Sequence, residues 1–66
     1  MEIMLNGERR PIRVQMTIAQ LLDETELAQR KVAVEVNRDI VPRSRHGEHC
    51  LADGDRVEIV NAIGGG

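Results

Sequence analysis

No phenylalanine, tyrosine or tryptophan occurs anywhere in this chain of 66 residues. Any core must therefore be assembled from Ile, Leu, Val and Met. A domain of this size buries only about 60% of the surface its unfolded chain exposes, which leaves room for one thin aliphatic layer and one domain. The same absence removes the stacking platforms that single-strand nucleic-acid binders use. A net charge of −2, with both signs interspersed, gives no basic excess to track a phosphate backbone. No apolar run approaches the roughly 20 residues of a membrane span. Met1-Glu2-Ile3-Met4-Leu5 lacks the basic and apolar blocks of a signal peptide, and the single Cys50 has no partner for an internal disulfide. These features predict a cytoplasmic protein that binds neither nucleic acid nor membrane; the free chain is expected to be a monomer.

Hydrophobic alternation divides the chain into short strands around one helix. Met1, Ile3 and Leu5 share a face of a first strand, with Glu2 and Met4 on the other. Asn6-Gly7 is a strong hairpin signal. Ile12, Val14 and Met16 alternate across Pro11 to Met16, which predicts a second, antiparallel strand, placed at a sheet edge by Pro11. Thr17-Ile18-Ala19-Gln20 has the form of a capping box, with Met16 and Leu21 set for a hydrophobic staple. Ile18, Leu21 and Leu22 form the apolar stripe of a short helix that Thr25 ends. Glu26 to Lys31 reads as a polar connection with Leu27 turned inward.

Val32-Ala33-Val34-Glu35-Val36 is the clearest strand, because its valines alternate and β-branched residues suit strands. Asn37-Arg38-Asp39 turns the chain into a short strand, Ile40-Val41, which Pro42 terminates. Arg43 to Cys50 reads as irregular or a single helical turn, with Ser44 as a cap. Ala52-Asp53-Gly54-Asp55 is a turn, and Arg56 to Val60 is the last strand, with Val57 and Ile59 on one face. The order predicts an α+β fold: a mixed sheet of four or five strands with one main helix on one face. This is a β-grasp, or ubiquitin-like, layout, in which the last strand lies centrally beside the first.

The chain closes on Ala62-Ile63-Gly64-Gly65-Gly66. Residues 1–63 are expected to form the domain and 64–66 a flexible tail. Glycine has no Cβ, so such a tail stays slim and pliable. It would carry an ionised α-carboxylate at most ~10 Å beyond the domain. That geometry suits threading into a partner's narrow active site; a frayed terminus is the plain alternative.

The chain resembles the small sulfur carrier proteins of the ThiS family. The resemblance is carried by Met1-Glu2-Ile3 with Asn6-Gly7, Thr17-Ile18 with Leu21-Leu22, and Val32-Ala33-Val34-Glu35-Val36-Asn37. It continues through Ile40-Val41-Pro42-Arg43, Leu51-Ala52-Asp53-Gly54-Asp55, Val57-Glu58-Ile59 and the terminal glycines. It implies that a ThiF-like adenylyltransferase uses ATP and Mg to adenylate the carboxylate of Gly66. A cysteine-derived persulfide then supplies sulfur, and the resulting thiocarboxylate serves thiazole synthase (ThiG) in thiamine biosynthesis. The chain would be a consumed and regenerated co-substrate, not an enzyme, with no bound cofactor. Gly66 carries the sulfur, and Gly64 and Gly65 keep the tail thin. A terminal Gly-Gly on this layout is shared with the small subunit of molybdopterin synthase and with ubiquitin-like protein modifiers, and both remain alternatives. A plain β-grasp binding module would leave the terminal glycines without a role.

Other residues invite comparison with simpler roles. His46, His49 and Cys50 are the soft metal-ligand candidates, crowded into one loop and short of the set that a structural zinc site takes. No metal site is expected. Cys50 reads as a small, partly buried hydrophobe. A Cys–His nucleophile lacks a predictable orienting group, and one cysteine cannot hold an iron–sulfur cluster. Arg38, Arg43, Arg45 and the histidines form a basic stretch, read either as a solvated loop or as a docking patch for an acidic partner surface. Met4 and Val60, flanked by Ala33 and Ala62, are expected on the sheet face away from the helix, as ordinary exposed residues or as the centre of a partner-binding face.

Overall fold

Two asparagine-led turns build the sheet. The computed structural model describes residues 1–61; the expected domain limit at Ile63 and the tail Gly64 to Gly66 lie outside the described residues. Asn6 and Gly7 take φ values of 50° and 86°, which makes a two-residue turn of the type that matches strand twist. It joins β1 (Glu2–Leu5) to β2 (Glu8–Pro11), paired antiparallel from Leu5↔Glu8 to Glu2↔Pro11. Asn37 and Arg38, with φ 51° and 76°, repeat the device between β3 (Val32–Val36) and β4 (Asp39–Val41). Asp39 pairs with Val36 and so belongs to β4 rather than to the turn.

The second strand lies earlier than hydropathy places it. A strand was expected over 11–16, but β2 ends at Pro11. A two-residue turn after Leu5 leaves Glu8 opposite Leu5, so the charged run Glu8-Arg9-Arg10 forms the strand. β2 is an edge of the sheet, where charged residues are tolerated and useful. The chain then turns: Gln15 has φ 64° and the Met16 amide donates to the Arg13 carbonyl at 3.3 Å. Val14 stands exposed in this turn, Ile12 packs half-buried against the core, and Met16 is fully inside it.

The helix α1 (Ile18–Glu24) starts where the capping box predicts. A helix leaves its first four amides without internal partners, and here each finds one. Thr17 N–H donates to Gln20 Oε1 at 2.9 Å, and Gln20 N–H donates to Thr17 Oγ1 at 3.2 Å. Ile18 and Ala19 donate to the carbonyls of His49 and His46 at 3.1 and 3.0 Å. The loop after β4 therefore docks onto the helix start. Its 3₁₀ turn, Arg43–Arg45, begins at Pro42 with no side-chain cap, so Ser44 lies inside the turn rather than capping it.

The strand order is β2-β1-β5-β3-β4, with β5 (Arg56–Asn61) in the centre. β5 runs parallel to β1 and antiparallel to β3. Ile3, Val34, Val36, Val57 and Ile59 form one core cluster with Ile18, Leu21 and Leu22 of α1, closed by Met16, Val41 and Leu51. Leu27 and Ala28, after the helix, pack against it. This mixed five-stranded sheet, with a single α-helix among the described residues, is the expected β-grasp. Among the described residues, no helix is long and apolar enough to cross a membrane.

Candidate functional site

The central strand leads into the glycine run, so the site is built outward from β5. Five pairs, from Val36↔Val57 to Val32↔Asn61, tie β5 to β3 along its whole length after Arg56. On the other side β1 contributes only Met4↔Arg56 and Leu5↔Val57. Two asparagine side chains complete the hold. Asn37 Oδ1 accepts from Arg56 N–H at 2.9 Å, and its Nδ2 donates to Asp55 Oδ1 at 3.0 Å. Asn6 Oδ1 accepts from Ile59 N–H at 2.8 Å, and its Nδ2 donates to the Ile59 carbonyl at 3.3 Å. Each asparagine leads a two-residue turn, and its left-handed backbone is tolerated better by asparagine than by most residues. That positional signal was present in the sequence; the target of each side chain was not.

Val57 and Ile59 point into the core, and Arg56, Glu58 and Val60 point to the opposite face. Met4, 37% exposed, and Val60, 54% exposed, do share that outer face on adjacent strands. They do not adjoin. Met4 is level with Arg56, four positions before Val60, or about 13 Å of strand. Glu58 lies between them. Val60 instead pairs with half-buried Ala33, while exposed Ile40 lies on β4, level with Glu35 and Glu58 and two strands from β5. The apolar part of this face beside the end of β5 is thus Val60 with Ala33, and Met4 and Ile40 are separate outliers. Ala62, named with these residues, lies outside the described residues, as do Gly64, Gly65 and Gly66.

The basic stretch is divided by the fold. Arg43 and Arg45 are exposed on the 3₁₀ turn, with Arg45 in a 3.9 Å ion pair to Glu48. His46 is buried and donates from Nε2 to the Val41 carbonyl at 3.0 Å. It braces the loop rather than adding surface charge. Cys50, expected to be partly buried, is exposed: its backbone bridges to Thr17, and its neighbour Leu51 takes the core position. No three His, Cys, Asp or Glu residues group as metal ligands among the described residues. A cleft of about 230 Å³ lies between α1 and this loop, lined by Ala19, Leu22, Asp23, Ala28, Arg43 and His46.

Residues 3–66 match the model of the ThiS family. This chain belongs to the ThiS family. Among ThiS relatives, the sulfur carrier protein ThiS of Escherichia coli (strain K12) is 30% identical over 66 residues, covering 100% of both chains. A thiazole synthase of Paramagnetospirillum magneticum (strain ATCC 700264 / AMB-1) is 47% identical over 66 residues, which are 100% of this chain. This chain spans only 20% of that protein's length. The crystal structure of a thiamine biosynthesis protein (ThiS) from Geobacter metallireducens superposes with a TM-score of 0.87 at 29% identity, covering 100% of both chains.

Proposed function

We propose that this ThiS-family chain is a sulfur carrier for thiamine biosynthesis, acting as a co-substrate through the carboxylate of Gly66. The observation that supports it most is the position of β5. A strand held by β1, β3 and two asparagine side chains ends at Asn61, and the glycine run follows in sequence. A rigid base with a slim extension suits delivery of a reacting group into another protein's site, where geometry governs rate.

The chemistry follows from what a carboxylate lacks. It is a poor electrophile, so a ThiF-like enzyme first lets a Gly66 carboxylate oxygen attack the α-phosphorus of ATP, with Mg²⁺ as counter-ion and pyrophosphate leaving. The acyl-adenylate then has AMP as its leaving group. The terminal sulfur of a cysteine-derived persulfide attacks the acyl carbon and expels AMP, giving an acyl disulfide. A thiol attacks the cysteine's own sulfur in that disulfide, forming a new disulfide with it and releasing the acyl-bound sulfur as the Gly66 thiocarboxylate. The thiocarboxylate donates its sulfur to thiazole synthase. The thiazole synthase of P. magneticum, with a segment 47% identical to this chain, supports that recipient. The outer sheet face around Val60 and Ala33 is the proposed docking surface.

Intact mass spectrometry tests the reading. After incubation with ATP, Mg²⁺, the activating enzyme, a persulfide donor and a thiol, the chain should gain the mass difference between sulfur and oxygen. An unchanged mass, with an active enzyme verified on another carrier, would refute it.

A further inference from the structure

We propose that Asn6 is a positioning residue for the tail, its side-chain amide setting the direction in which β5 delivers residues 62–66. The inference rests on the carrier reading above. Asn6 turns the backbone away at φ 50°, so β1 stops pairing once the Asn6 amide has donated to the Val57 carbonyl at 2.9 Å. One repeat further along β5, the N–H and carbonyl of Ile59 face the same side with no strand beside them. A carboxamide presents one acceptor and one donor, the same pair that a strand residue's backbone would offer. Asn6 uses both on Ile59, at 2.8 and 3.3 Å. Its side chain thereby extends the β1 flank of β5 to within two residues of Asn61. Without it, the end of β5 is held from the β3 side alone, through Val32↔Asn61 and Ala33↔Val60.

Asn37 is an internal control. It also leads a two-residue turn, also has positive φ, and also reaches β5, but at the opposite end, on Arg56 and Asp55. Glycine accepts positive φ without strain, so Asn6→Gly and Asn37→Gly each remove one amide while preserving the turn. A purely structural role makes the two variants alike; a positioning role separates them.

The experiment is ATP–pyrophosphate exchange with the ThiF-type adenylyltransferase of the same organism, using full chains verified as folded, alongside ¹⁵N relaxation of the free proteins. Asn6→Gly should lower kcat on the order of tenfold, because small misplacements of a reacting group are costly, with KM for the carrier unchanged. Asn37→Gly should leave kcat at the wild-type value. A smaller folded fraction would instead raise the apparent KM. Order parameters at Val60 and Asn61 should fall in Asn6→Gly and hold in Asn37→Gly. Equal kcat in the two variants, or unchanged order at Val60 and Asn61 in Asn6→Gly, overturns the proposal. A wild-type chain that supports no exchange overturns the carrier reading instead, and the order parameters then decide for or against the clamp.

Discussion

Glu35 on β3 and Glu58 on β5 stand directly opposite one another, on the sheet face away from α1. Like charges in register across two strands are unfavourable, and such pairs shift stability by roughly 0.2–1 kcal/mol. Among the described residues neither carboxylate takes part in an ion pair. Glu58→Gln should therefore stabilise the domain by about 0.5 kcal/mol, and Glu58→Lys by somewhat more. Urea denaturation measures both; a loss of stability in each would contradict the β3–β5 register.

Thr17→Ala removes the hydroxyl that accepts from the Gln20 amide. The expected cost is about 1 kcal/mol, measurable in the same urea melts. The remaining carbonyl caps from His46 and His49 keep the helix start in place, so tail adenylation should continue at the wild-type rate in the folded protein. A large loss of adenylation with stability intact would place this helix end in a partner contact.

Val60→Asp and Met4→Asp should both fold, because both side chains stand on the outer face. Val60→Asp should weaken binding to the activating enzyme by at least tenfold, about 1.4 kcal/mol, since it lies beside Ala33 near the end of β5. Met4→Asp should do less, being level with Arg56. Val57→Asp is the contrasting case: Val57 is wholly buried, and an unpaired charge there should unfold the domain. Calorimetry of binding, with circular dichroism for folding, distinguishes the three. Equal effects from Met4 and Val60 would argue against a face centred on Val60.

Deleting Gly65 and Gly66 should abolish adenylation without a measurable change in the urea midpoint, because a glycine brings no side chain to a core and the core cluster among the described residues is complete by Ile59. One residue added after Gly66 should also abolish it, since the carboxylate would be displaced and would carry a side chain. Exchange kinetics on these two chains check the claim, and normal activity in the extended chain would remove Gly66 from the chemistry.

Much of the fold is local, and that part was legible in the residues. Asn6-Gly7 specifies a tight turn because few residues accept positive φ. Thr17 and Gln20 specify a helix start because each satisfies the other's neighbouring amide. Val32 to Val36 specifies a strand because β-branched residues alternate. The lack of aromatics imposed an aliphatic core, and the glycine run pointed to a tail-borne reaction. Hydropathy failed at β2, where an edge strand of charged residues carries no alternation and the neighbouring Ile12-Val14-Met16 pattern imitates one. It also could not tell that His46 is buried on the Val41 carbonyl while Cys50 is exposed, because neither residue's burial is set by its immediate neighbours.

Family membership, the order of the elements and, β2 apart, their approximate positions were readable from the residues alone. Tertiary structure alone decided that Asn6 reaches Ile59 across 53 positions and Asn37 reaches Arg56 across 19. It also decided that Glu58 separates Met4 from Val60 on their common face. The physical reason is that periodicity reports which side of one element is buried. Register and lateral hydrogen bonds belong to two segments at once, and exist only when both are in place.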